Sequence, residues 1–138
     1  MVNEAAFAQV SGWISMLREA HTIAAEAMPD VAARVEASWK ADLAAGRDPE
    51  TGKDWAPRKL DGARPMKAAA SRAVAKVTGT SLTLIVTGPD AIHHYGVRGA
   101  EPRHVVPTGS TVPMKIGNAI RLGLMPVWKK RLAAAGGG

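Results

Sequence analysis

The stretch Gly46-Arg47-Asp48-Pro49-Glu50-Thr51-Gly52-Lys53-Asp54-Trp55-Ala56-Pro57-Arg58-Lys59 divides the chain into two unlike parts. The sequence before it is rich in Ala at helical spacing. The sequence after it is largely strand-like and basic. Two Gly, two Pro and several charges exclude a continuous helix or strand across the stretch. Asp48-Pro49 and Thr51-Gly52 are turn formers, because Pro fixes φ and Gly reaches positive φ. Trp55 stands in the middle of this polar loop, although its indole carries a large apolar area. Two roles are open to it. It folds back as a plug on the helix face carrying Val35 and Trp39, which contributes about 2–3 kcal/mol, or the loop presents Trp55, Arg58 and Lys59 to a partner. Both can hold at different stages of an assembly.

The flanking helices are read from spacing. Residues 4–28 place Phe7, Val10, Ile14, Leu17 and Ala24 three or four positions apart, widened by Trp13, Ala20 and Ala27. This predicts an amphipathic helix with its stripe toward the core. Met28-Pro29-Asp30 interrupts it, and a second helix runs from Pro29 to about Ala45 with Val31, Val35, Trp39 and Leu43 on one face. One kinked helix is the alternative. Gly46 suits the C-terminal cap.

Beyond the central loop, Met66 to Ala70 can form a short helical turn. Residues 72–78 and 82–87 read as a hairpin joined across Gly79-Thr80-Ser81, with Leu82, Leu84 and Val86 on one face. Ala91 to Val97 is a third strand candidate, and His104-Val105-Val106 a brief extended piece. A last helix from about Met114 to Ala135 carries Ile116, Ile120, Leu124 and Val127 or Trp128 on its face, and Pro126 should kink or split it. The expected fold class is α+β, with N-terminal helices and a C-terminal helix packed on a small, mainly antiparallel β-sheet. One domain spans 1–138: helical 1–45, central loop 46–71, sheet 72–106 and C-terminal helix 113–135.

Of the 138 residues 46% are hydrophobic, but much of that is Ala, with one Phe, one Tyr and four Trp. A thin core is expected, completed by a neighbouring subunit. The chain has no Cys, which excludes disulfides, thiolate nucleophiles and Cys-based zinc sites. No apolar run approaches a membrane span and Met1-Val2-Asn3-Glu4 lacks a basic start, so no membrane partner and a cytoplasmic product are expected. The net charge of +6 is polarised: residues 1–46 carry three bases against six acids, and residues 47–138 carry fifteen bases against six acids. Such asymmetry suits an acidic or nucleic-acid partner, or complementarity between subunits.

Chemistry is hard to assemble. His93 and His94 are adjacent and point to opposite faces of a strand. His104, Glu101 and Asp90 add no ligand spacing, so no metal is expected. A hydrogen-bonded role under a loop suits His93 or His94 better. There is no phosphate-binding Gly-rich motif and no Gly-x-Ser-x-Gly elbow. The Asp48-x-Glu50-x-Gly52-x-Asp54 run lacks the distal Glu of a calcium loop. No catalytic residue and no cofactor are assigned. Arg58, Lys59, Arg64, Lys67, Arg72 and Lys76 flank the loop and the first strand, as phosphate binding would use. Only Trp55 is close enough to act as a stacking platform. Lys129-Lys130-Arg131 is explained by the helix dipole.

A helix followed by Asp48-Pro49-x-Thr51-Gly52-x-x-Trp55-Ala56-Pro57 resembles the segment after the long helix of phage virion morphogenesis proteins, the tail-completion and neck group of tailed bacteriophages. Their pattern is close to Asp-Pro-x-Gly-x-x-Trp-x-Pro-Leu. This chain adds one residue before Gly52 and has Arg58 or Lys59 where Leu is usual. Ile92-His93-His94-Tyr95-Gly96 is similar to the family's strand ending in a His-containing stretch and a Gly. Pro102-Arg103-His104-Val105-Val106-Pro107 resembles its Pro-x-Arg-x-Phe segment, with Val in place of the aromatic. The resemblance runs from about residue 31 to the end.

It implies a non-enzymatic structural virion protein at the head–tail junction or the top of the tail tube. Such a protein forms a homo-oligomeric ring, six subunits being expected, and is assembled in the bacterial host cytoplasm. Its partners would be the head–tail connector, the tail tube and the DNA path. Trp55, Arg58, Lys59, Arg64 and Arg103 would face partners, and Asp48, Pro49, Gly52, Pro57, His93 and Gly96 would shape the loops. The alternative from the charge is a basic nucleic-acid-binding accessory protein.

Overall fold

A computed structural model describes residues 4–56, 67–88, 105–107, 109 and 111–135, the side chains of residues 4–7 and 67 excepted. The architecture is a small α+β fold. Helices α1 (Glu4–Arg18) and α2 (Ala20–Ala45) precede a 3-10 turn (Lys67–Arg72), strands β1 (Ala73–Thr78) and β2 (Ser81–Val86), and helix α3 (Met114–Ala135). The strands form a two-stranded antiparallel sheet. Of the expected sheet region 72–106, the candidate strand Ala91 to Val97 lies outside the described residues.

Helix α2 is the element on which α3, the 3-10 turn and β1 pack, while α1 lies mainly against α3. Val31, Val35, Trp39 and Leu43 recur on one face, and all four are buried. They serve two adjoining clusters. Ala27, Met28, Val31 and Val35 meet Ile116 and Ala119 of α3, with Ile120, Leu124 and Val127 at the edge. Trp39 and Leu43 meet Ala69, Ala73 and Val105. The hairpin covers both. Its register pairs Ala73 with Val86, Ala75 with Leu84 and Val77 with Leu82, so the larger of these side chains share the inward face. Leu84 touches both clusters. Gly79, at φ 61, supplies the left-handed residue that reverses the chain between the strands.

Three expectations are corrected. The break between the first helices falls at Glu19, with φ −97 and ψ 15, and not at Met28-Pro29. Pro29 lies inside α2 and Pro126 inside an unsplit α3. Both prolines are exposed, and water can serve the carbonyls that lose a donor there. Val105 and Val106 form a bend, not an extended piece. The third correction is the largest. Val10, Trp13, Ile14 and Leu17, expected to face the core, are 38–59% exposed. In α1 only Met16 among the described side chains is buried.

Candidate functional site

The central loop is built outward from the end of α2. Gly46 takes the left-handed conformation at φ 73. Its N–H donates to Leu43 O at 3.1 Å, and the Arg47 N–H donates to Asp42 O at 2.9 Å. These paired bonds make a Schellman cap, which satisfies carbonyls that the helix end would leave bare. Asp48 then organises the turn. Its Oδ1 accepts the N–H groups of Glu50 at 2.8 Å and Thr51 at 3.3 Å. Its own carbonyl accepts the Gly52 N–H at 2.8 Å. Pro49 is buried, and Gly52 adopts φ 74.

The chain returns through an isolated antiparallel bridge between Arg47 and Asp54. The Asp48 N–H donates to Lys53 O at 2.8 Å, and the Trp55 N–H donates to Gly46 O at 2.8 Å. Arg47 Nε also lies 3.3 Å from Asp54 Oδ1, an exposed pair that adds little stability. The closed turn therefore delivers Trp55 back to the helix it left. The indole is half-buried and packs on the Trp39–Leu43 cluster. The neighbour is Trp39 as expected, while Val35 belongs to the other cluster.

Around this seat, buried or partly buried polar contacts tie the elements together. Trp39 Nε1 donates to Val105 O at 2.7 Å, anchoring residues 105–107 against the helix. Asp42, 4% exposed, accepts Lys115 Nζ at 2.7 Å, which fixes the start of α3 beside the end of α2. Glu36 accepts the Ala75 N–H at 2.9 Å and pairs with Lys40 at 2.9 Å. The Ala75 hydrogen bond, then Lys40, hold its carboxyl below the usual glutamate value. At the far end of α2, Glu26 pairs with Arg131 at 2.7 Å. The Arg131 hydrogen bond and charge lower Glu26, and Glu26 in turn raises Arg131.

Of the residues proposed from sequence, the structure brings Asp48, Pro49, Gly52 and Trp55 into one folded turn on α2. Pro57, Arg58, Lys59, Arg64, His93, Gly96 and Arg103 lie outside the described residues. So do His94 and His104. Among the described residues, no group of three or more His, Asp or Glu is arranged to hold a metal ion. No described helix is long and apolar enough to cross a membrane.

Sequence reasoning missed a second candidate surface. The groove between the start of α2 and α3 has a volume of about 440 Å³ and is lined mainly by apolar side chains, among them Ile23, Ala24, Ile120, Leu124, Met125 and Trp128. Spacing leaves Val127 and Trp128 as alternatives for the core face of α3. Val127 packs on the core, whereas Trp128 lines the groove. No protein-family model, curated protein or solved structure matches this chain.

Proposed function

We propose that this protein is a structural subunit of the head–tail junction or upper tail of a tailed bacteriophage, acting by assembly and not by catalysis. The observation that supports this reading most is the folded turn at Asp48–Trp55. The residues that resemble the phage tail-completion motif also do the structural work there: Asp48 caps the turn, Gly52 takes the left-handed conformation, and Trp55 seats the return on α2. A loop locked at both ends is suited to presenting the following Arg58 and Lys59 to a connector or tail-tube protein. The exposed apolar stripe of α1 adds to the reading, since bare apolar patches of this kind mark interaction surfaces.

Negative-stain electron microscopy of the purified chain tests the assembly. Annular particles with a central opening are expected, six subunits being the expected number. Immunogold labelling of intact virions tests the location, with label expected at the neck. Label confined to free protein, together with particles of monomer size, would overturn the proposal. The basic balance of residues 47–138, with Arg121, Lys129 and Lys130 exposed on α3, favours a second reading as a DNA-binding accessory protein. That reading requires DNA affinity that falls steeply with salt.

A further inference from the structure

The groove between α2 and α3 is long and apolar, and a single cation lines it. Gly117, Arg121, Leu124 and Trp128 follow one another at helical spacing along its α3 wall. At the rise of an α-helix, the run from Gly117 to Trp128 spans about 16 Å. The two helices run antiparallel: Val31 lies against Gly123, and Glu26, earlier on α2, reaches Arg131, later on α3. Ile23 and Ala24, earlier still on α2, therefore line the Trp128 end, and Arg121 stands toward the other end. The volume of about 440 Å³ falls within the range of about 300–1,000 Å³ that small-molecule sites occupy.

Arg121 is exposed and, among the described residues, has no ion-pair partner. Helix α3 itself contains no Asp or Glu. On the facing part of α2, Glu26 is paired with Arg131 and Asp30 with Arg34. The Arg121 guanidinium is thus left with donors for an outside anion, and its fork matches a carboxylate. We propose that the groove binds a linear amphiphile with one anionic head, of the class of medium-chain fatty carboxylates. The head sits at Arg121, and the chain runs past Leu124 to Trp128, against Ile23 and Ala24. An apolar strip with one cation toward its end selects such a ligand over a neutral or cationic one, because the chain is buried and the head is paired in a single pose. The site lies apart from the Asp48–Trp55 turn and does not depend on the assembly reading.

The probe is dodecanoate, kept below its micelle-forming concentration. Calorimetric titration should show one saturable site per chain. Arg121→Gln should weaken binding roughly tenfold or more, and Arg121→Lys by less, since Lys keeps the charge without the fork. Ala24→Leu, which fills the apolar end, should abolish binding while the far-UV circular dichroism stays that of the parent. Dodecanoate brominated at its terminal carbon should quench part of the tryptophan emission, and that part should be missing in Trp128→Phe. No saturable binding, or undiminished affinity in Arg121→Gln, would overturn the proposal. So would equal affinity of the parent for dodecyltrimethylammonium, which would mean an apolar patch with no choice of head group. Binding lost in Ile14→Asp with Leu17→Asp but kept in Ala24→Leu would overturn the site in favour of the α1 stripe. Binding to phosphatidylglycerol vesicles, with none to monomeric dodecanoate, would overturn it in favour of a lipid surface.

Discussion

Gly123 of α3 lies directly against the backbone of Val31 of α2. A Cβ at Gly123 would stand 2.6 Å from Val31 Cγ2, 2.8 Å from its Cα and 3.0 Å from its N. A side chain can change rotamer to admit a methyl group, but a backbone atom inside a packed helix cannot. Gly123→Ala should therefore destabilise by about 1–3 kcal/mol, the cost of overpacking, although Ala is the better helix former. Gly117, also in α3, is the control. A Cβ there meets nothing closer than Val112 Cγ1 at 4.0 Å, so Gly117→Ala should stabilise by about 0.5–1 kcal/mol. Thermal melts of both variants should move in opposite directions. A rise in Tm for Gly123→Ala would show that the helices have slack.

Trp39→Phe should cost about 1–3 kcal/mol, although the apolar volume is largely kept. The indole N–H is the donor to the Val105 carbonyl, and Val105 is fully buried. Phe leaves that carbonyl without its donor in a place water does not reach. The urea midpoint should fall with little change in slope. An unchanged midpoint would mean that the bond contributes nothing net.

Two carboxylates should make stability fall in acid. Glu36 is held below the usual glutamate value of 4.5 by the Ala75 N–H and Lys40, and Glu26 by Arg131. With the folded values depressed, the unfolded chain binds more protons in the interval between the two states. The stabilisation is fully present above pH 4.5 and is lost as the pH falls through the depressed values. Glu36→Gln keeps an acceptor for the Ala75 N–H and removes the charge. Its unfolding midpoint should lie below that of the parent at neutral pH and change less between neutral pH and about pH 3. Parallel pH profiles for the two proteins would rule out Glu36 as a source of the acid sensitivity.

Period alone is enough to read the hairpin and the buried face of α2 from Val31 onward, because Val31, Val35, Trp39 and Leu43, and Leu82, Leu84 and Val86, each repeat on the face that is covered. Punctuation is less dependable. Pro29 and Pro126 look like breaks, yet both fall on exposed sides of continuous helices. The actual interruption, at Glu19, involves neither Gly nor Pro and leaves no local mark. The stripe of α1 is legible as a stripe. Its exposure is not, since periodicity marks an apolar face and does not say whether the fold covers it. The polar ties are equally silent. Glu36 and Ala75 are 39 positions apart, and Asp42 and Lys115 are 73, so each partner looks like an ordinary surface charge or strand residue until the fold joins them. At the candidate site, Asp48, Gly52 and Trp55 are legible because turn chemistry is local.

Trp55 connects that local chemistry to the proposed assembly. Its N–H is bonded to Gly46 and its indole rests on the Trp39–Leu43 cluster, so the turn is fixed by backbone and side chain together. The indole is half-buried, which lowers the expected contribution from about 2–3 kcal/mol for full burial to about 1–2 kcal/mol. Trp55→Ala should therefore reduce the urea midpoint modestly and, on the proposed function, leave heads and tails that fail to join. Arg58 and Lys59 follow the anchor by three and four residues. On the proposed function, Arg58→Glu with Lys59→Glu should leave the midpoint near that of the parent and still impair joining. The two variants separate anchor from contact: one loses stability and joining together, the other loses joining alone. Normal infectious particles from the charge-reversal variant would end the partner-facing role of Arg58 and Lys59. An unchanged midpoint for Trp55→Ala would reassign Trp55 from anchor to contact residue.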